Sequence, residues 1–191
     1  MTVWVLVPGW PGHRSAILGD FIRNDYIAIG EPGTPSDVIG DLTNVPEDEF
    51  EKLFREIYGD YPSLASAIKA VRYEMQVGDI VIVASDGYIY GVGEIVGDYQ
   101  YREEYIVFRG TERYVGREEA LRYFKEGEFV LPLYPHRRPV RWLKIAKLPY
   151  RSLPRSIREK LSAPRKPAEM IVMKLKEEDR NVLKSLLTLW F

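Results

Sequence analysis

The chain has no cysteine, only two histidines, His13 and His136, and no apolar run long enough to cross a bilayer. Without cysteine there is no disulfide, no thiolate metal ligand and no thiol nucleophile. Two histidines argue against a zinc enzyme, although carboxylates would still suit a hard cation. A transmembrane helix needs about 20 consecutive apolar residues, and the first apolar run here stops at Pro8 with no basic segment before it, so a secretory leader is not expected. The chain therefore reads as cytoplasmic, with no membrane partner. There is no GxxxxGK[ST] stretch and no legible Ser-His-acid arrangement. "GVGEIVG" at Gly91–Gly97 has glycines at the wrong spacing for a dinucleotide fingerprint and no helix start after it. Those glycines are expected to mark a bend, a bulge or a close backbone approach.

Charge is abundant and unevenly placed. Lys and Arg number 27 against 28 acids, giving a net charge of −1. Asp20 to Asp60 is mostly acidic, whereas His136 to Ala168 is strongly basic with Glu159 as its one acid. A one-sided basic segment suggests a polyanion partner; it is equally the pattern of a solvated face balancing the acidic half. High charge, no cysteine and prolines in connecting segments fit a thermophile.

The 191 residues suffice for one packed domain with a small appendage. The expected division is a domain over 1–163, then a linker with a strand and helix over 164–191. Thr2–Val7 reads as a buried strand, Ser15–Arg23 as a short helix and Asp25–Ile29 as a strand. Helices are expected from Pro46 to Tyr58 and from Pro62 to Met75, both with apolar stripes at helical spacing. Ile80–Ala84 is a β-branched run typical of a central strand, and "SDG" at Ser85–Gly87 signals a hairpin. Further strands are expected at Tyr105–Phe108, Phe129–Leu131, Pro139–Ala146 and Met170–Leu175. Helices are expected at Gly116–Glu126, Pro154–Leu161 and Lys176–Leu189. Strands separated by turns rather than by regular crossover helices predict an α+β class: a small curved or partial β-barrel of mixed strands with flanking helices.

Thirteen tyrosines and four tryptophans are a heavy aromatic load. Trp4, Trp142 and Trp190 fall in strand or helix patterns and are expected in the core. Trp10 instead sits among Gly and Pro after the first strand, where it either plugs the sheet or presents an aromatic face to a ligand. Such faces stack on nucleobases. Asp79, Glu94 and Asp98 leave room for a metal-dependent nuclease, although Asp79 also suits a turn.

Several segments together resemble the EVE/YTH-like branch of the PUA superfamily: "PGW" at Pro8–Trp10, "NDYIAIGE" at Asn24–Glu31, "GDL" at Gly40–Leu42, "VGDIVIVASDGYIYGVGEIVGDYQY" at Val77–Tyr101 and "HRRPVRWL" at His136–Leu143. Within it they resemble the N-terminal DNA-recognition domains of McrB-type specificity subunits of thermophilic archaea. The resemblance implies a reader, not an enzyme and without cofactor or metal, that flips a modified base of methylated double-stranded DNA into an aromatic pocket, with N6-methyladenine the first candidate. An AAA+ GTPase motor of the McrB type, elsewhere in the same full-length chain, and a McrC-type nuclease subunit would be its partners. By this resemblance Trp10 borders the base edge, Tyr26 stands where a first cage aromatic is placed, and Asp86 sits at the hairpin beside the pocket. Tyr99, Tyr101 or Tyr105 would complete the cage.

A snug pocket also needs placed hydrogen bonds, for which Asn24, Asp25 or Asp86 are candidates, and phosphate contacts, for which His136, Arg137, Arg138, Arg141 and Lys144 are candidates. The competing readings are an RNA-binding module reading a modified or single-stranded base, and an enzyme acting on a nucleotide.

Overall fold

The computed structural model describes residues 1–8, 14–30, 39–109, 111–153, 155–162 and 171–176. In chain order the elements are β1 (Val3–Val7), α1 (Arg14–Arg23), β2 (Tyr26–Ile29), α2 (Glu47–Tyr58), α3 (Pro62–Lys69) running into a π-helical turn (Ala70–Glu74), β3 (Ile80–Ser85), β4 (Tyr88–Ile95), β5 (Gln100–Tyr101), β6 (Tyr105–Arg109), β7 (Thr111–Val115), α4 (Arg117–Lys125), β8 (Val130–Pro132), β9 (His136–Pro149), a 3-10 turn (Tyr150–Ser152), α5 (Arg155–Ser162) and β10 (Ile171–Lys174). The class is α+β, a curved mixed sheet with flanking helices, as the sequence predicts. The chain forms two compact units: Met1–Tyr26, Met75–Gly97 and Pro139–Phe191 in the first, Ile27–Glu74 and Asp98–Arg138 in the second.

In the first unit the strands run in the order β10-β1-β3-β4-β9. β1 is parallel to β3 and antiparallel to β10. Every residue of β1 and β3 is buried, which explains their unbroken apolar runs: a central strand covered on both faces shows no alternation. Val3, Val5, Ile82, Val92 and Leu153 belong to its core. The "SDG" hairpin forms with Ser85 opposite Tyr88. Asp86 and Gly87 take φ of 48° and 83°, the paired left-handed geometry that a two-residue hairpin turn requires. β4 carries irregularities against β9 that bend the sheet.

The glycines of "GVGEIVG" have the close-approach role expected of them. A Cβ on Gly91 would stand 2.9 Å from the Trp142 ring and one on Gly93 would stand 3.2 Å from it, so two missing side chains let the indole lie against β4. Asp79 is buried and ties the strand ends together. It accepts from the Thr2 backbone N–H at 2.6 Å, the Trp4 indole at 3.0 Å and the Gln76 N–H at 3.2 Å. That removes it from a nuclease cluster, and among the described residues no group of three metal-ligating side chains stands together.

In the second unit α2 and α3 bury Phe50, Phe54, Leu64, Ala67 and Ile68. α2 begins on Glu47, Asp48 and Glu49, whose charges suit the positive end of the helix dipole, and ends at Gly59 with φ 68°. A three-stranded sheet in the order β7-β6-β8 packs Tyr105, Val107 and Val115 against Ala120 and Tyr123 of α4. β5 pairs with the start of β9, with Tyr101 opposite His136. The sequence reading missed β7, whose "TERYV" is an edge strand with four exposed residues before Val115 and therefore no apolar face to show. It also made β9 too short, since the strand starts at His136 and runs on to Pro149. The expected helix at Lys176–Leu189, with Trp190, lies outside the described residues apart from Lys176.

Candidate functional site

In the first unit three of the expected base-site residues, Asn24, Asp25 and Tyr26, follow directly on α1. Tyr26 is buried, its hydroxyl donates to the Asp20 carboxylate, and its ring tilts against Phe21 at 5.4 Å. The Asn24 side-chain amide donates to the same carboxylate at 2.7 Å. Asp20 is 1% exposed, a buried acid holding two of the candidate residues in place, and the sequence reading did not single it out. Its signal was its position among the inward residues Ile17, Leu18 and Phe21 of one short helix. Asp25 is exposed with φ 52°, and its carbonyl accepts from Val140 at 2.9 Å. Asp86 is exposed in the hairpin turn and accepts from the Ser85 hydroxyl at 2.9 Å. Trp10 and His13 lie outside the described residues.

The second unit brings Tyr99, Tyr101 and His136 together. Tyr99 stacks on the imidazole at 5.9 Å with a 24° interplanar angle, and Tyr101 tilts against it at 5.6 Å. Both tyrosines are half-buried, whereas His136 is fully buried. Burial pushes the His136 pKa down to about 3, against a weak opposing pull from Asp41, so the ring is neutral at physiological pH. The Tyr99 oxygen accepts from Leu42 N–H at 3.4 Å and lies 2.7 Å from His136 Nδ1, an arrangement in which the hydroxyl donates to an unprotonated Nδ1. Burial raises the hydroxyl pKa of both tyrosines, which keeps them protonated.

Arg72 was not anticipated. Its guanidinium lies 4.8 Å from the Tyr99 ring centre and 4.9 Å from that of Tyr73. It also donates to the carbonyls of Leu42 and Thr43, at 2.8 Å each. The loop around the "GDL" motif is thus fixed by Arg72 and by tyrosine hydroxyls, with Tyr58 accepting from Ile39 N–H and Tyr73 donating to the Val45 carbonyl, both at 3.0 Å. Protonated phenols, a neutral imidazole and a clamped guanidinium thus form one stacked aromatic cluster.

The expected phosphate contacts divide. His136, Arg137 and Arg138 are 1%, 3% and 5% exposed, so they stand inside the fold and not on its surface. Arg137 donates to the Tyr134 carbonyl at 3.1 Å and to the Glu104 carboxylate at 2.5 Å. Arg138 donates to the carbonyls of Val71 at 2.8 Å and Arg72 at 3.2 Å, at the end of the π-helical turn. Buried charges need such partners, and donors engaged there are withdrawn from phosphates. Arg141 is exposed and paired with Glu94, and Lys144 is half-buried.

Because His136 titrates near 6.5 when unfolded and near 3 when folded, the unfolded chain binds the extra proton between those values. Stability from this residue is fully present above about pH 6.5 and declines as pH falls toward 3, by up to about 1.4 kcal/mol per pH unit. Urea unfolding of wild type and His136→Gln at pH 7 and 5 checks this: the variant should be weaker at pH 7 yet lose less on acidification. Equal acid sensitivity in the two would contradict a neutral buried ring.

Among solved structures, the chain is similar to the YTH domain of the Zygosaccharomyces rouxii MRB1 protein in complex with N6-methyladenosine RNA, at 12% identity, covering 98% of this chain and 83% of that one with a TM-score of 0.42. It is also similar to the Mmi1 YTH domain, at 9% identity, covering 98% of this chain and 75% of that one with a TM-score of 0.40. No curated protein matches it. Residues 4–162 match a family described as Domain of unknown function (DUF8426), and the chain belongs to that family.

Proposed function

We propose that the chain reads a modified base in nucleic acid, with methylated double-stranded DNA as its substrate and N6-methyladenine as the modification. The observation that carries this reading is the cluster in the second unit, where half-buried Tyr99 and Tyr101 flank a neutral His136 with Arg72 over the Tyr99 ring. Aromatic faces of this kind stack on a base for about 1–3 kcal/mol each, enough to offset much of the few kcal/mol that extruding a base costs. A buried methyl group adds about 0.8 kcal/mol and gives the preference its sign.

In the first unit, Trp10, Tyr26, Asn24, Asp25 and Asp86 are proposed as nucleic-acid contacts on the sequence resemblance alone, and Arg141 and Lys144 as phosphate contacts. The chain acts as a recognition module without catalysis. In a restriction system of the McrBC type its role would be targeting, with an AAA+ motor of the McrB type and a McrC-type nuclease subunit as its partners.

The test is a titration of matched oligonucleotides: duplex DNA and single-stranded RNA, each with and without one N6-methyladenine. The expected result is a preference of about fourfold for methylated duplex DNA, the equivalent of one buried methyl group. Equal or tighter binding of methylated RNA would favour the RNA-reader alternative. Binding without regard to methylation would overturn the proposal.

A further inference from the structure

Once Arg137 and Arg138 are placed inside the fold, the surface charge of the basic segment shifts along β9 toward its C-terminal end. Two of the cations in the first unit are neutralised by neighbours, Arg141 by Glu94 and Arg155 by Glu159. Lys147 and Arg151 are exposed and, among the described residues, neither has an acidic partner within 4.0 Å. They lie at one end of the sheet. Tyr88 pairs with Pro149 across β4 and β9, and the Tyr150 N–H donates to the Gly87 carbonyl at 2.8 Å, which holds the 3-10 turn carrying Arg151 beside the Asp86–Gly87 hairpin. Tyr88 is 37% exposed, and the Lys147 ammonium sits 4.5 Å from its ring centre. A lysine seated on an aromatic ring is partly pre-positioned, so it loses less side-chain freedom when it meets an anion.

We propose that this end of the first unit, formed by Tyr88, Lys147 and Arg151, is a contact for the sugar-phosphate backbone of nucleic acid that does not read bases. The proposal rests on the reading of the chain as a nucleic-acid reader and adds where strand affinity, as distinct from base preference, arises. The chemistry favours a phosphodiester chain over a lipid surface. Peripheral membrane binding needs an apolar face to enter the headgroup boundary. Here the exposed apolar side chain on this part of β9 is Ile145, and the neighbouring ring of Tyr88 is capped by an ammonium. Two cations about four residues apart on an extended strand and its following turn suit a line of phosphates.

The experiment measures binding of a fluorescein-labelled duplex, with and without N6-methyladenine, between about 50 and 200 mM salt for wild type, Lys147→Gln/Arg151→Gln and Tyr88→Leu. Each lost phosphate contact lowers the slope of log affinity against log salt by about 0.9, so the double variant should lose nearly two units of slope and about tenfold in affinity at the higher salt. The loss should be the same for both duplexes, leaving their ratio unchanged. Tyr88→Leu should cost a smaller factor by freeing Lys147. A double variant with the wild-type slope overturns the backbone contact even if the methyl preference persists. A ratio of one, with the slope change as expected, instead sinks the base-reading proposal and supports this contact. If wild type binds no oligonucleotide but binds phosphatidylglycerol vesicles, and the double variant does not, the surface belongs to a membrane and the proposal is overturned.

Discussion

Arg138→Ala is expected to lower the free energy of unfolding by about 2–4 kcal/mol while leaving the salt dependence of nucleic-acid binding unchanged. The guanidinium donates from Nε and Nη2 to the carbonyls of Val71 and Arg72, where the π-helical turn closes the helix that begins at Pro62. The last carbonyls of a helix have no partner within it. Truncating Arg138 therefore strands two acceptors in a site where the arginine itself is 5% exposed and water has little access. Arg138→Lys should recover only part of the loss, because a single ammonium cannot reproduce the two-pronged geometry of a guanidinium. Urea denaturation of the three proteins, with the salt slope measured alongside, separates the outcomes. Wild-type stability with a flattened slope would put Arg138 on the phosphate-facing surface and contradict its placement here.

The second large effect concerns the tyrosines. Tyr101→Ala and Tyr99→Ala should each reduce the affinity for the methylated duplex by about 5- to 150-fold, the equivalent of one stacking contact of about 1–3 kcal/mol. Tyr99→Phe distinguishes the ring from its hydroxyl. It keeps the face over His136 but cuts the links to Nδ1 and to Leu42 N–H, so it should cost less binding than Tyr99→Ala and some stability. Trp10→Ala and Tyr26→Ala are expected to abolish the methyl preference as well. Tyr26→Phe isolates the bond to Asp20, whose loss would leave a buried carboxylate with one fewer donor. Early melting of any alanine variant with its methyl preference intact would return that ring to the core.

Much of the fold was legible where local chemistry and tertiary environment agree. The β1 and β3 runs are apolar without interruption because both faces are covered, and Asp86-Gly87 turns because few other pairs accept two left-handed residues. The glycines of β4 announced a close approach, though only the fold names Trp142 as the group that approaches. For the candidate site the sequence offered residue types but not their surroundings. "HRRPVRW" looks the same on a solvated ridge as on a strand whose first side chains point inward. What decides between them is the carbonyls of Val71 and Arg72 and the carboxylate of Glu104, which lie far away in sequence. Asp20 and Arg72 were missed for the same reason: an acid or base on a helix reads as surface until its buried acceptors or stacked rings are in place. β7 was hidden because an exposed edge strand buries almost nothing that would write a pattern.

The central claim, that one modified nucleotide leaves its duplex to enter an aromatic site, is tested most directly by placing 2-aminopurine next to a single N6-methyladenine in a short duplex and following its fluorescence as protein is added. Extrusion of the neighbour unstacks the probe, so a several-fold rise that saturates with binding and disappears in the Tyr101→Ala variant is the predicted result. Full binding of the methylated duplex, confirmed by anisotropy, with the probe still quenched would mean the base stays stacked and would contradict the account.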